Sequence, residues 1–230
     1  MVTPLPFSYR QPTPSGTPRV RRLLLLQPDP EFARALTATL DAAHVGVTRV
    51  STRAEALAAL AQFVPDVALI DLTLPDGDGV ELIAELSRRQ PALPIVVVTG
   101  ESDEARILGA IRAGASGYLF KADLGPRIVP VIEEAMRGGA PLSRPVARLL
   151  LQACRGASPD KSSSVDLTRR ENTVIGMLAE GKSYAEVGLR LGVSENTVRS
   201  HVRSIYDKLG VRSKTEAVIA ALRLGIVRLP

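Results

Sequence analysis

The chain has 230 residues, 45% of them hydrophobic and 23% charged; at roughly 100–200 residues per domain this allows one large domain or two small ones with a packed core. One cysteine, Cys154, excludes a disulfide framework or thiolate cluster, and two histidines, His44 and His201, are too few for a typical zinc site. The net charge of +5 is split: residues 20–140 hold 12 Lys+Arg against 16 Asp+Glu, and residues 166–230 hold 11 against 7, so an acidic half precedes a basic half suited to a polyanion.

Residues 1–19 carry five prolines among Ser, Thr, Gln and Gly. Such a segment buries too little apolar area to offset its ordering entropy and is expected to be a disordered tail. Its start, MVTPLPFSYR, lacks the charged and apolar regions of a secretory signal. No apolar run along the chain approaches the roughly 20 residues that cross a bilayer, so a cytoplasmic protein is expected.

From residue 20 to 139, short apolar runs alternate with helical periodicity. The runs are LLLL (23–26), VTRV (47–50), DVALI (66–70), PIVVV (94–98) and SGYLF (116–120); their length and Val/Ile content predict buried parallel strands. Helical faces fall at Phe32, Leu36 and Leu40; at Ala56, Leu57 and Leu60; at Leu82, Ile83 and Leu86; and at Ile128, Val131, Ile132 and Ala135. Five strands, each followed by a helix, predict a doubly wound α/β domain with its site at the strand carboxyl ends. Residues 140–165 read as a connector, with a short helix capped by Ser143 and a flexible linker, GASPDKSSS, at 156–164.

Residues 166–230 read as all-helical. TRRE (168–171) has capping-box form, Gly181 ends the first helix, Tyr184–Leu191 forms the second, and Gly192 turns the chain into a third that runs from Ser194 to Leu209. Residues 215–225 form a fourth. Two short helices about a tight glycine turn are a helix-turn-helix. On the third helix Val198, Val202, Ile205 and Leu209 share a core sector, while Asn196, Arg199, Ser200 and Arg203 lie opposite, with no acid expected to pair them. Arg199 and Arg203 are one turn apart, so both can enter one groove and fork onto guanine or bind phosphate.

The stretch 167–217, with LTRRE, GVSENTV, Arg199–His201 and KLGV, resembles the LuxR-type helix-turn-helix. That resemblance implies that Arg199, Ser200 and Arg203 face the DNA major groove and that the fourth helix mediates dimerisation on DNA. Gly188 departs from the family's usual alanine, at a cost of about 1 kcal/mol of helix propensity.

The α/β half resembles a response-regulator receiver domain, so the chain from residue 20 looks like the NarL/FixJ class: a flavodoxin- or CheY-like five-stranded parallel sheet followed by a four-helix DNA-binding domain. The resemblance matches Asp71, in LIDLTLPDGDG, to the phosphoacceptor, Thr99 to the switch hydroxyl, Tyr118 to the aromatic switch and Lys121 to the invariant lysine. The family's two adjacent acids after the first strand, which hold Mg²⁺, fall on Gln27 and Pro28, leaving only Asp29 as a weak metal candidate. Mg²⁺ takes hard oxygen ligands and lowers the barrier to phosphoryl transfer. The expectation is a non-enzymatic transcription regulator binding double-stranded DNA, as a homodimer, with no cofactor and Mg²⁺ absent or weak. It would act without ordinary phosphorylation of Asp71, under a sensor kinase or another regulatory partner. The alternative is a conventional phosphorylated regulator in which Asp29 rescues the metal. A phosphatase is disfavoured, since position 73 is Thr where such enzymes carry a second Asp. The lack of GxGxxG or Walker loops disfavours a nucleotide enzyme. An interaction module that has lost DNA binding is the third class.

Overall fold

The structure, a computed structural model, describes residues 22–124, 127–155 and 165–227; the expected tail (1–19) and flexible linker (156–164) lie outside the described residues. In chain order the first half contains β1 (Arg22–Leu26), α1 (Pro30–Ala42), β2 (Gly46–Val50), α2 (Arg53–Gln62), β3 (Val67–Ile70), β4 (Thr73–Leu74), β5 (Gly77–Asp78), α3 (Gly79–Arg89), β6 (Ile95–Thr99), α4 (Glu104–Ala113), β7 (Gly117–Phe120), α5 (Lys121–Leu124) and α6 (Ile128–Met136). Five strands form one sheet in the order β2-β1-β3-β6-β7, every pairing parallel.

Apart from the edge strand β2, which carries Thr48 and Arg49, the strand sequences read as unbroken apolar runs because both faces of the sheet are covered. Leu24, Leu26, Ala68, Ile70, Ile95, Val97 and Tyr118 point to one side, under α2, α3 and α4. Leu23, Leu25, Val67, Leu69, Val96, Val98 and Leu119 point to the other, under α1 and α6. This period-2 division sends alternate residues to opposite cores.

Two details differ from five simple strand–helix units. The loop after Asp71 folds into a small antiparallel hairpin, with Thr73 opposite Asp78 and Leu74 opposite Gly77. After β7 the chain makes the single turn α5 before α6.

The connector forms α7 (Arg144–Arg155). Val146, Leu149 and Leu150 of this helix enter the same core as Tyr118. Just before it, Tyr118 N–H donates to Pro141 O and Ser143 N–H to Tyr118 O, each at 2.9 Å, so residues 141–143 lie alongside β7 as a further parallel rung.

The last segment folds as α8 (Arg169–Ala179), α9 (Tyr184–Leu191), α10 (Glu195–Leu209) and α11 (Lys214–Arg223) around a third core that includes Val174, Ile175, Leu178, Val187, Val198, Val202 and Ile205. Thr168 and Glu171 form the capping box reciprocally, and Ser194 caps α10 on Thr197 N–H. Gly192 and Gly210 close α9 and α10 in the left-handed conformation that favours glycine.

Gly188 does more than lower helix propensity. A Cβ there would lie 2.8 Å from the Val193 carbonyl oxygen, whose chain closes the turn with a 3.0 Å bond from Val193 N–H to Gly188 O. Gly188→Ala is therefore expected to leave the melting temperature unchanged or lower it, in spite of a propensity gain of about 1 kcal/mol. A rise of several degrees in a thermal melt would refute this.

Candidate functional sites: the strand-end cluster and the helix-turn-helix

β1, β3, β6 and β7 end side by side, and the residues at their carboxyl ends meet. Asp71 is 5% exposed and Thr99 is 1% exposed. Lys121 Nζ lies 2.9 Å from Asp71 Oδ2 and donates to Gln27 Oε1 at the same distance. Gln27 is itself buried, and its Oε1 also accepts from Asp29 N–H at 3.1 Å. The lysine ammonium therefore bridges the carboxylate of β3 to the amide that follows β1, and it lies 5.1 Å from the centre of the Phe32 ring. Asp71 Oδ1 accepts from Thr73 N–H at 3.3 Å.

The donor set is a poor fit for the Mg²⁺ that receivers of this shape are expected to hold. It offers one carboxylate, already ion-paired with the Lys121 ammonium, and one neutral amide oxygen, which accepts from the same ammonium. Pro28 has no side-chain donor. The Asp29 carboxylate is occupied at the start of α1, where its Oδ1 accepts from Glu31 N–H at 3.0 Å and Phe32 N–H at 3.1 Å as the helix cap. The bond from Phe32, followed by that from Glu31, outweighs desolvation and holds the Asp29 carboxyl below its ordinary range, with Lys121 adding attraction. Among the described residues no group of three or more His, Cys, Asp or Glu side chains is arranged to hold a metal.

Thr99 and Tyr118 occupy the next layer. Thr99 Oγ1 accepts from Glu101 N–H at 3.1 Å, and Tyr118 is fully buried with its hydroxyl donating to Glu101 O at 3.1 Å. Burial raises the Tyr118 phenol well above its ordinary value, and the Glu101 charge adds to this. Arg106 from α4 reaches the same loop. Its Nη1 and Nη2 donate to Asp78 at 3.2 Å each, Nη2 also to Leu72 O at 3.2 Å, and Nε lies 3.6 Å from Glu101 Oε2.

On α10, Val198, Val202 and Ile205 are buried, whereas Asn196, Ser200 and Arg203 are exposed. Ser200 Oγ donates to Asn196 O at 3.1 Å. The Arg203 side chain makes no hydrogen bond or ion pair among the described residues. Arg199 corrects the expectation of an unpaired face: it forms an ion pair with Glu195, four residues earlier, and is half-buried. The i,i+4 spacing carried that signal in the sequence.

Arg199 also leaves its own domain. Its Nη2 donates to Met136 O at 3.3 Å, and its guanidinium lies 5.1 Å from the Tyr184 ring centre. Tyr184 N–H donates to Arg137 O at 3.2 Å. Gly138, at φ +77°, lets the tyrosine ring pack on the backbone, since a Cβ there would come within 2.5 Å of Tyr184. The carbonyl end of α6 thus receives donors from α9 and α10, and a cation suits a helix carboxyl end. α11 packs against α4 and α7, with Ile219 at the receiver core. The sequence does not mark Gln27, Glu195, Tyr184 or Arg106 as partners in either cluster; apart from the Glu195 spacing, their roles depend on tertiary proximity.

Comparison with known proteins agrees with both halves. Residues 23–132 match the family described as response regulator receiver domain, and residues 165–221 match bacterial regulatory proteins, luxR family. The chain is 34% identical over 177 residues to the DNA-binding transcriptional activator DevR/DosR of Mycobacterium tuberculosis, covering 77% of this chain and 82% of that one. It is 30% identical over 208 residues to the transcriptional regulatory protein LiaR of Bacillus subtilis, covering 90% and 99%. Among solved structures, RcsB of Salmonella typhimurium shares the fold at a TM-score of 0.52 and 21% identity, over 87% of this chain and 97% of that one. With its strand-end aspartate–lysine pair and its glycine-turned helix pair, the chain belongs to the response regulators of the LuxR family, DNA-binding transcriptional regulators built from a receiver and a LuxR-type helix-turn-helix.

Proposed function

We propose that this regulator works as a homodimer on duplex DNA in the cytoplasm, without catalytic activity of its own, and that its receiver is set without Mg²⁺-dependent phosphorylation of Asp71. The observation that carries the second clause is Lys121, whose ammonium spans Asp71 and Gln27 where a divalent ion would need acids. Phosphoryl transfer to a carboxylate depends on a metal that neutralises charge on the transferring group. Here the nucleophile is present, and Lys121 and Thr99 stand at the neighbouring strand ends, but the second and third metal carboxylates are replaced by an amide and a proline, and the next acid, Asp29, is engaged as a helix cap. DNA binding is supported by the LuxR-type match, by the relative whose name states DNA binding, and by the exposed Asn196, Ser200 and Arg203. Arg199 joins them in the proposed groove face once it leaves Glu195. Among the described residues no helix is long and apolar enough to cross a membrane.

Incubation with a small phosphodonor and Mg²⁺, followed by intact-mass measurement, tests the receiver reading. No phosphate adduct on Asp71 is expected. A stoichiometric, Mg²⁺-dependent adduct would overturn it in favour of the conventional phosphorylated regulator and its sensor kinase. Gel shifts across a salt series test the DNA reading: log affinity is expected to fall linearly with log salt at a slope of about −0.9 per phosphate contacted. A flat line would indicate an interaction module in place of a DNA reader.

A further inference from the structure

Asp103 caps α4 at the far end of the loop between β6 and α4, and Glu101 ties the loop to the rest of the receiver. The Glu101 N–H donates to Thr99 Oγ1, its carbonyl accepts from the Tyr118 hydroxyl, and its carboxylate faces Arg106 Nε. Arg106 in turn reaches across to the loop after β3. There it forks onto Asp78, the cap of α3, and caps the carbonyl of Leu72, the residue next to Asp71. One guanidinium, one-third exposed, therefore ties together the two loops that flank the strand-end cluster. An arginine forked onto a carboxylate and anchored to a backbone carbonyl holds geometry as well as charge.

Tyr118 is the far end of this tie, and its backbone is also the anchor of the connector. Its N–H and carbonyl bond Pro141 and Ser143, and Ser143 Oγ accepts from Phe120 N–H at 3.1 Å. Ser143 O then accepts from Ala147 N–H in the first turn of α7. α7 lies under α11, and Thr215 Oγ1 of α11 donates to Ser116 O at 3.5 Å. The route from Arg106 to the DNA-binding half thus runs through a 3.6 Å ion pair with Glu101, hydrogen bonds through Tyr118 and Ser143, and the packing of α7 against α11.

We propose that Arg106 is a positioning residue that latches the receiver: by tying Glu101 to Leu72 and Asp78 it holds Tyr118 in its buried place, and through the Tyr118 backbone it keeps the connector docked along β7. The setting of the DNA-binding half then comes from an internal ion pair. This rests on the reading that Asp71 is not set by Mg²⁺-dependent phosphorylation, and it supplies the regulatory element that reading lacks. Any partner or ligand that draws the Arg106 guanidinium off Asp78 and Leu72 would release the connector, because an effector acts only through unequal affinity for the two arrangements.

The test uses the full chain carrying 3-fluorotyrosine, with the Tyr118 resonance assigned from Tyr118→Phe, in wild type, Arg106→Gln and Asp78→Asn. In the wild type the Tyr118 fluorine is expected to show no solvent isotope shift. In Arg106→Gln it shows one, and amide exchange over residues 117–120 and 141–150 rises at least tenfold. Asp78→Asn keeps an oxygen for the α3 cap, so it changes the fork with less risk to folding and carries the test if Arg106→Gln does not fold. A shielded Tyr118 and unchanged exchange in folded variants would overturn the latch. The phosphodonor experiment separates the two ideas. An Asp71 adduct in a protein whose Tyr118 still depends on Arg106 removes the metal-poor reading and leaves the latch. No adduct together with an unresponsive Tyr118 does the reverse.

Discussion

Replacing Arg203 with alanine is expected to weaken binding to a specific duplex by roughly five- to 150-fold, equivalent to about 1–3 kcal/mol for a base-reading arginine, and to relax preference at one position. Arg203 is exposed and has no partner among the described residues, so it gives up little on entering a groove. Arg199 is in a different position. To reach DNA it must leave Glu195, the Met136 carbonyl and the face of Tyr184. Part of what DNA returns is offset by those lost contacts, so Arg199→Ala is expected to cost less than Arg203→Ala, although the two stand one turn apart. Side-by-side titrations at one salt concentration decide the order. A larger loss for Arg199→Ala would show that its contacts within the protein do not compete with DNA.

The second large effect is on stability. Glu171 is buried in the last domain, and three donors converge on it. Lys208 Nζ and Ser204 Oγ of α10 donate to it at 2.7 Å each, and Thr168 N–H closes the capping box at 2.7 Å. Burial alone would raise its pKa, but the bonds from Lys208, Ser204 and Thr168 together outweigh it and hold the carboxyl at about 2. Removing one partner of a buried pair costs up to about 3–5 kcal/mol, and Lys208 is partly solvated, so Glu171→Ala should cost about 3 kcal/mol. At about 4–8 °C per kcal/mol for a domain this small, the melting temperature of the C-terminal half should fall by more than 10 °C. Because the folded carboxyl binds its proton more weakly than the unfolded one, the unfolded chain takes up protons first as pH drops. Glu171 therefore stabilises fully at neutral pH, and its contribution fades from about pH 5 towards pH 2. Melts of wild type and Glu171→Gln across that range check the sign: the gap between them should narrow as the solution is acidified, and a constant gap would contradict it.

Much of the architecture was legible because each layer left a separate trace. Buried strands appear as apolar runs, and the helical faces at Leu36 and Leu40, or at Val198, Val202 and Ile205, follow a 3.6-residue period. Capping residues such as Thr168 and Ser194 mark the starts of helices directly. The hairpin at 73–78 was not legible, because two-residue strands are too short to show a period and PDGDG reads simply as a turn. α4 had no face singled out for it, although its Ile107, Ala110 and Ile111 are buried; small alanines and a mid-helix glycine blur the apolar stripe.

The strand-end cluster was partly legible in the same way. Asp71, Thr99 and Lys121 each end a strand, so the parallel topology brings them together. Gln27 stood out in the sequence only as a missing acid. Its service as an acceptor for Lys121 depends on β1 and β7 ending at the same height on either side of β3 and β6, which no local pattern records. The contacts of Arg199 and Tyr184 with the end of α6 join residues more than 40 positions apart and were equally out of reach.

The strip of backbone at 141–143 has a consequence for assembly. An outermost strand normally offers a row of unmet amides and carbonyls to any passing chain. On β7 that row is already engaged by the molecule's own polypeptide. A second copy therefore cannot add a strand directly to β7; on this side it meets the 141–143 strip first.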